Sequence, residues 1–303
     1  MTLHEAITTT DGRLKSSADI SAAIMAEYKA ASERPRLTCQ DCGQQTVLDI
    51  SFGGDEKICN ACMIRREEWQ KHREAKKAFR ERQRNSGLPA EFHNHRLTDY
   101  DPARGLGLPS PIPHPPSGIH AQRIAVHELF KSYCTPDEPT HGALIIGPPG
   151  TGKTHLTAAL CNRFCYNGYT PKWLDGRELS DLITQDWNYK TRNEMFKSRL
   201  AIEIANYEIV FIEDLQIPSE KPYDWYVSAL NDIVNQLLVK RRKVFVTTNH
   251  RRKQHLVMDG NQPMRDQQQN LWLEKAYGPS LLSRLDALCK PYPLTGPDMR
   301  ALG

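Results

Sequence analysis

The sequence predicts an α/β fold in which a parallel sheet is flanked by helices, and three apolar segments are the basis of this prediction. Residues 143–146, 209–212 and 244–246 are continuous apolar runs, a composition typical of strands that are buried on both faces. Segments with the composition of helices lie between them. Each run ends in glycine, acidic or polar residues. A buried strand carries such residues to one edge of the sheet, so we expect a functional site there.

The first strand leads into a glycine-rich loop that fits the phosphate-loop pattern of Gly, four residues and then Gly-Lys-Thr. Residues 155–164 predict a helix after the loop, so backbone N–H groups at its N-terminus can face phosphates. We expect Lys153 to reach the β- and γ-phosphates of ATP and the Thr154 hydroxyl to hold Mg²⁺. The alternative is a glycine-rich turn that only joins a strand to a helix. The loop consists of Gly147, Pro148, Pro149, Gly150, Thr151, Gly152, Lys153 and Thr154.

The second strand ends in two acids, Glu213 and Asp214, as the second motif of phosphate-loop ATPases requires. We expect the first acid to orient Mg²⁺ and its waters, and the second to polarise the water that attacks the γ-phosphate. These ATPases usually carry Asp first and Glu second, so the order is inverted here and slow hydrolysis is expected. The alternative is a pair of acids that merely end a strand.

Three further polar residues are candidates for the same site. Asn249 follows the third strand, where we expect it to sense the γ-phosphate and fix the attacking water. Arg284 lies on an otherwise apolar helical segment. In this type of ATPase such an arginine reaches the nucleotide of a neighbouring subunit, and a local salt bridge is the alternative. Arg300 is a candidate phosphate sensor within its own chain. Together these residues predict self-association through a shared nucleotide site.

Composition limits the classes of protein that remain. The 303 residues are 39% hydrophobic with a formal charge of +4, which suits one α/β core and a smaller module. No apolar run approaches a membrane span, and the N-terminus lacks a secretory signal pattern. We therefore expect a cytoplasmic protein with no membrane partner. In a reducing compartment its eight cysteines are expected to be thiols or metal ligands.

Four of the cysteines have the spacing of a zinc ribbon. Cys39 and Cys42 form one pair, Cys59 and Cys62 form another, and sixteen residues separate the pairs. Four protein ligands leave no open coordination position. We therefore expect a structural Zn²⁺ that supplies most of the folding free energy of this small module. We expect the module to contact protein or DNA, and both alternatives stay open.

The chain is predicted to have four segments. The amphipathic helix at 19–31 either packs on the adjacent module or docks on a partner protein. Residues 92–100 resemble the strap that precedes the loop strand in phosphate-loop ATPases. The segments are a tail with one helix (1–38), a zinc ribbon (39–62), a basic helical linker (63–87) and an AAA+ type ATPase domain (88–303).

Two basic segments are candidates for contact with DNA. Residues 63–87 contain nine Lys or Arg against four Glu, which suits either a solvated linker face or contacts to phosphates. Residues 189–199 combine basic and aromatic side chains, as binding of single-stranded DNA requires. An ordinary amphipathic helix explains the same residues.

The order of these motifs resembles that of the DnaC/DnaI/IstB group of AAA+ ATPases. The resemblance covers about residues 90–300, and it rests on the motifs above together with the runs 150–160 and 282–285. A cysteine-rich module before such a domain is similar to the DnaI-type helicase loaders. In that group the N-terminal module binds the replicative helicase, and the AAA+ domain binds ATP and single-stranded DNA. This chain departs from the pattern in its inverted acids, its Gln-rich segment at 250–277 and its four-cysteine ribbon.

The resemblance implies an ATP-dependent loader that assembles through Arg284, holds single-stranded DNA and delivers a hexameric replicative helicase in bacterial or phage replication. Two alternatives stay open. An IstB-type transposition regulator would remodel duplex DNA and recruit a transposase. A nucleotide-gated binding scaffold would hold ATP with little turnover, because Glu213 and Asp214 would not support hydrolysis.

Overall fold

The computed structural model of the chain forms two compact units, residues 1–77 and residues 78–303. No helix in the described part of the chain is both long and apolar enough to span a lipid bilayer. The residues that the structure describes are 21, 22, 25, 26, 29, 36–47, 58, 60–106, 118–135, 138–190, 199–215, 224–250, 257–259, 262–264 and 273–302.

The first unit contains a short hairpin that carries two of the predicted metal ligands. Strand β1 (Arg36–Thr38) pairs antiparallel with β2 (Gln45–Val47), and the tight turn between them carries Cys39 and Cys42. The backbone N–H of Gly43 donates to the carbonyl of Cys39 at 2.9 Å. Gly43 has a φ of +72°, which a glycine adopts without strain. The hairpin thereby turns sharply enough to bring its thiols together.

A long helix, α1 (Asn60–Ser86), starts in the first unit and continues into the second. It covers most of the predicted linker at 63–87. The helix stops at Gly87, whose φ of +82° is the left-handed conformation typical of a helix end. The described residues between 21 and 29 are also helical, within the helix predicted at 19–31. The four-segment division of the chain itself stays a prediction.

The second unit is built on a five-stranded parallel sheet with the order β4-β5-β6-β3-β9. The predicted α/β fold is confirmed, and the three predicted strands are β3, β5 and β6. The strands are β3 (Gly142–Ile146), β4 (Lys172–Asp175), β5 (Ile209–Glu213), β6 (Lys243–Thr248) and β9 (Cys289–Pro293).

Helices cover both faces of this sheet, which explains the continuous apolar runs. In β5, Phe211 packs on the α2 and α3 side, whereas Val210 and Ile212 pack on the side of α4 to α7. Successive side chains of a strand point to opposite faces, so both alternating sets must be apolar here. The helices are α2 (Gly118–Ser132), α3 (Lys153–Tyr166), α4 (Gly176–Lys190), α5 (Arg199–Ile204), α6 (Asp224–Val239) and α7 (Leu273–Leu288).

The structure describes only parts of some predicted segments. A small antiparallel hairpin of β7 (Val257–Asp259) and β8 (Gln262–Met264) lies in the Gln-rich segment. Residues 191–198 of the predicted DNA-binding segment lie outside the described residues, as does Cys59.

The strap at residues 92–100 is anchored on α3 by one buried asparagine. Asn162 donates through Nδ2 to the carbonyl oxygens of Phe92 and His95, at 2.8 and 3.0 Å. Its Oδ1 accepts from Gln83 Nε2 at 2.8 Å. These bonds hold the strap against the C-terminal half of α3, in which Asn162 lies.

Candidate nucleotide-binding site

The phosphate loop joins β3 to α3, and close contacts require its glycines. Gly150 and Gly152 have φ values of +76° and +92°, which L side chains rarely adopt. A Cβ on Gly150 would lie 1.9 Å from Asp298 Oδ1, and a Cβ on Gly147 would lie 1.9 Å from the Leu294 carbonyl oxygen. The chain that follows β9 therefore packs directly against the loop.

Lys153 is buried, and its ammonium group is bonded within the site. Nζ donates to the carbonyl oxygens of Gly147 and Pro148 at 2.8 and 2.9 Å, and to Asn249 Oδ1 at 2.8 Å. Burial lowers the pKa of Lys153 below its usual value, and the attraction of Glu213 and Asp214 only partly offsets this. A phosphate that enters the loop must take the place of these neutral acceptors.

Glu213 is 7% exposed and lies at the end of β5, where threonine hydroxyls bind its carboxylate. Thr154 Oγ1 donates to Oε1 at 2.5 Å, and Thr157 Oγ1 donates to Oε2 at 2.9 Å. Burial raises the pKa of Glu213 even though these hydroxyl bonds act in the opposite direction. Mg²⁺ prefers oxygen ligands, so the adjacent hydroxyl and carboxylate of Thr154 and Glu213 fit this ion.

The second acid, Asp214, contacts the other predicted strand-end residue. Asn249 Nδ2 donates to Asp214 Oδ1 at 2.8 Å, while Asn249 Oδ1 accepts from Lys153. The φ of Asp214 is +53°, and its backbone N–H donates to Thr247 Oγ1 at 2.8 Å. Lys153, Asn249 and Asp214 therefore form a continuous hydrogen-bonded row from the start of α3 to the ends of β6 and β5. The structure brings these predicted site residues together.

A cavity of about 460 Å³ opens beside the loop and is lined by residues of the strap, the loop, α3 and the chain after β9. Lys153 and Thr154 are among its lining residues. His95 and Tyr100 contribute from the strap and His155 from α3. The sequence predicts the strap but none of these three side chains. Histidines and aromatic residues clustered within residues 92–100 are the signal that could have identified His95 and Tyr100.

The aromatic part of the cavity is tightly packed and poorly solvated. The rings of His95 and His155 lie 4.7 Å apart, and His155 Nε2 is 3.2 Å from the carbonyl oxygen of Arg96. Burial and the neighbouring His95 lower the pKa of His155. Burial raises the pKa of Tyr100 to about 12, and its hydroxyl has no hydrogen-bond partner among the described residues. Aromatic side chains beside a phosphate loop suit a nucleobase.

Arg300 lies at the rim of the same cavity, in a short 3₁₀ helix (Met299–Leu302). Its guanidinium bonds Asp298 through Nε at 3.1 Å and Nη2 at 3.0 Å. This pairing lowers the pKa of Asp298 and raises that of Arg300. The predicted phosphate sensor is thus near Lys153, and in this structure it binds a carboxylate.

Arg284 is not among the residues that line this cavity. It lies on α7 after a kink at Gly278 and Pro279, and it is half-buried. Its Nη1 donates to Asn231 Oδ1 at 3.0 Å and to Ser280 Oγ at 2.6 Å. The structure therefore does not bring Arg284 to the nucleotide site of its own chain.

The first unit holds a separate cluster of thiols. The Sγ atoms of Cys39, Cys42 and Cys62 all lie within 4.8 Å of one another. Arg66 on α1 binds Asp41 in the hairpin turn with contacts of 2.7 and 2.5 Å, which fixes the turn against the helix. Three converging thiols fit a tetrahedral Zn²⁺ site. The fourth predicted ligand, Cys59, lies outside the described residues.

Comparison with protein families identifies the second unit. Residues 142–276 match the AAA domain, dynein-related subfamily. This region of the chain is similar to AAA domains. The matched region contains the phosphate loop, Glu213, Asp214 and Asn249.

The chain is also a distant relative of DnaC-type helicase loaders, as the resemblance of its motifs predicts. The replicative helicase loader DnaC of Escherichia coli strain K12 is 24% identical over 103 residues, which are 34% of this chain and 40% of DnaC. DnaC of Buchnera aphidicola subsp. Baizongia pistaciae is 26% identical over 103 residues. The chain thus spans about two fifths of the length of these curated relatives.

Solved structures with similarity to the chain include two helicase-loader proteins. DnaI is 18% identical, with a TM-score of 0.43 over 70% of this chain and 94% of DnaI. The DnaC helicase loader is 19% identical, with a TM-score of 0.45 over 68% of this chain and 99% of DnaC.

The contact at Gly150 predicts the effect of a single methyl group. Gly150→Ala should weaken binding of a fluorescent ATP analogue at least about tenfold, because the new Cβ collides with Asp298 and displaces the loop. Gly168→Ala is the matched control, since Gly168 has a φ of +98° but open space around its Cα. Both variants should lose about 1–2 kcal/mol of unfolding free energy through backbone strain. Unchanged binding in Gly150→Ala would contradict the described packing.

The raised pKa of Glu213 predicts a pH dependence of stability. A carboxyl whose folded pKa lies above its unfolded value contributes stability below the unfolded pKa, and this contribution is lost as pH rises through the folded pKa. In Glu213→Gln the side chain at position 213 no longer binds or releases a proton. The unfolding free energy of the wild type relative to this variant should therefore increase from about pH 8 to about pH 4. Urea unfolding without metal or nucleotide measures this, with the exposed Glu203→Gln as control.

Proposed function

We propose that the protein binds and hydrolyses ATP at the phosphate loop, with Mg²⁺ as its cofactor. The observation that carries this proposal is the hydrogen-bonded row of Lys153, Asn249 and Asp214 beside the Thr154–Glu213 pair. A cation, a neutral amide and two acids converge at the carboxyl ends of parallel strands, next to a cavity of nucleotide size. Charged residues with a purely structural role would not require a glycine-rich loop around them.

Each residue has a distinct role in this proposal. Lys153 exchanges its loop carbonyl acceptors for oxygens of the β- and γ-phosphates. Thr154 and Glu213 hold Mg²⁺, which when bound neutralises charge on those phosphates. Asp214 accepts a proton from the attacking water, and Asn249 orients that water through its amide.

The geometry around Asp214 supports slow hydrolysis. Its carboxylate is one methylene shorter than the glutamate usual at this position, and Asn249 binds one of its oxygens at 2.8 Å. Asp214 must share that oxygen between the amide and a water. Its left-handed backbone also limits how far the side chain can adjust.

A second part of the proposal is that subunits share the site. Arg284 is half-buried, bound to neutral partners and absent from the cavity lining of its own chain. A guanidinium held in place by Asn231 and Ser280 is oriented in advance for a phosphate on a neighbouring subunit. Self-association would then complete the site. Arg300 would sense phosphate from within the chain by exchanging Asp298 for a phosphate oxygen.

The loader role is the third part, and it rests on the distant relationship to DnaC. In this proposal Cys39, Cys42, Cys59 and Cys62 hold a structural Zn²⁺, and the module they form binds a hexameric replicative helicase. The basic residues of α1 and the segment 189–199 contact single-stranded DNA. Trp69 on α1 is 58% exposed, and the Arg73 guanidinium lies 4.6 Å from its ring centre, an arrangement suited to a nucleic-acid base. The protein would act in the cytoplasm during bacterial or phage replication.

Phosphate release tests the ATPase proposal directly. The wild type should release phosphate slowly and release it faster with single-stranded DNA or the helicase of the same source. Asp214→Asn should bind ATP but lose roughly 100-fold or more in turnover, because the water loses its base. Lys153→Ala is the background control. Release by the wild type no faster than by Lys153→Ala would favour a nucleotide-gated scaffold instead.

Arg284→Ala should leave ATP affinity unchanged and lower turnover by roughly a thousandfold, because the lost charge acts only on a neighbour's transition state. Arg177→Ala, an exposed arginine on α4, is the control. In mixtures with Asp214→Asn subunits, Arg284→Ala subunits should recover activity, since each supplies what the other lacks. Lack of recovery in confirmed mixed assemblies would argue against a role between subunits.

A further inference from the structure

Both oxygens of the Glu213 carboxylate are bound by hydroxyl groups of one helix. Thr154 and Thr157 lie three residues apart on α3, so their side chains share the face that points toward the end of β5. Thr154 bonds Oε1 at 2.5 Å and Thr157 bonds Oε2 at 2.9 Å. Thr157 is 1% exposed, so its hydroxyl has no access to bulk solvent. No sequence motif predicts a role for Thr157.

A simpler role for Thr157 would be to bond carbonyl groups of its own helix. Its hydroxyl also lies 3.0 Å from the Lys153 carbonyl and 3.2 Å from the Thr154 carbonyl, distances common for a threonine inside a helix. The hydroxyl has one proton to donate. The carboxylate is the nearest of the three acceptors and the charged one, and charge-assisted bonds are the stronger. The proton therefore goes to Glu213.

The length of Glu213 explains why a second bond is needed. A glutamate has one more rotatable bond than the aspartate usual at this position. Held by Thr154 alone, its carboxylate could turn about its terminal bond. A second bond at Oε2 fixes the plane of the carboxylate and keeps Oε1 beside the Thr154 hydroxyl. Thr247, which accepts the Asp214 N–H, also bonds Glu213 and supports the same orientation.

We propose that Thr157 is a positioning residue that adapts the metal-binding end of the site to glutamate at position 213. By binding Oε2, Thr157 leaves Oε1 and the Thr154 hydroxyl together as the pair that would hold Mg²⁺. This inference rests on the proposed nucleotide function but not on hydrolysis or on the loader role. Partners that orient metal ligands typically change metal affinity by 10- to 100-fold when they are removed.

The test measures metal binding rather than turnover. Thr157→Val keeps the shape of the side chain and removes the hydroxyl. We expect it to bind Mn²⁺, used as a paramagnetic substitute for Mg²⁺, about tenfold more weakly in the presence of a non-hydrolysable ATP analogue. Thr157→Ser should restore affinity to within about twofold of the wild type, because it restores the donor. Thr184→Val is the matched control, since Thr184 bonds only the Ser180 carbonyl among the described residues.

A double-mutant cycle separates orientation of Glu213 from a general effect on α3. In Glu213→Asp the shorter acid cannot bond both threonines, so adding Thr157→Val should cost less than about twofold in Mn²⁺ affinity. Equal losses in the two backgrounds would overturn the proposal. Thermal unfolding without metal and nucleotide verifies that each variant is folded, and Thr157→Ala replaces the valine variant if that one does not fold.

The remaining outcomes are also distinguishable. If the wild type binds Mn²⁺ with nucleotide and Thr157→Val binds it equally well, the inference about Thr157 is wrong and the nucleotide site stands. If the wild type shows no metal-dependent nucleotide binding, the proposed function fails, and the inference fails with it.

Discussion

Two opposite charges buried at one end of a parallel sheet are the constraint on which the second unit depends. Lys153 and Glu213 are each at most 7% exposed, and a charge removed from water is tolerated only when it is paired or hydrogen-bonded. Loop carbonyls and Asn249 satisfy Lys153, and threonine hydroxyls satisfy Glu213. These partners come from the loop, α3 and β6. The elements must therefore keep their relative positions for either charge to remain buried.

An aromatic layer beneath α3 provides that fixed geometry. Trp173, Phe211 and Phe245 come from three adjacent strands and stack with ring centres 5.6 and 4.9 Å apart. Large aromatic rings bury extensive apolar surface and pack in preferred geometries. Packing of this layer therefore contributes, together with the loop, to the positions of α3, β5 and β6 relative to one another.

The sequence predicted the parts of this site whose signals are local. The phosphate loop, the acids of β5 and Asn249 each follow an apolar run, so neighbouring residues reveal their position. Strand β9 was missed because Pro291 and Pro293 argue against a strand, and only its place at the sheet edge makes them tolerable. Tyr100 and Thr157 were missed for another reason. Tyr100 contacts the His155 ring and Thr157 bonds Glu213, each more than fifty residues away, so no local pattern distinguishes them from ordinary aromatic and helical residues.

The segment after β9 links the loop to an edge of the sheet. Leu294 N–H donates to the Ile146 carbonyl at 2.8 Å, and Met299 N–H donates to the Gly150 carbonyl at 2.8 Å. These bonds attach the segment to the end of β3 and to the loop. The nearest strand is β9, whose outer side is a border of the sheet. Main-chain bonds therefore connect the phosphate loop directly to a border of the sheet.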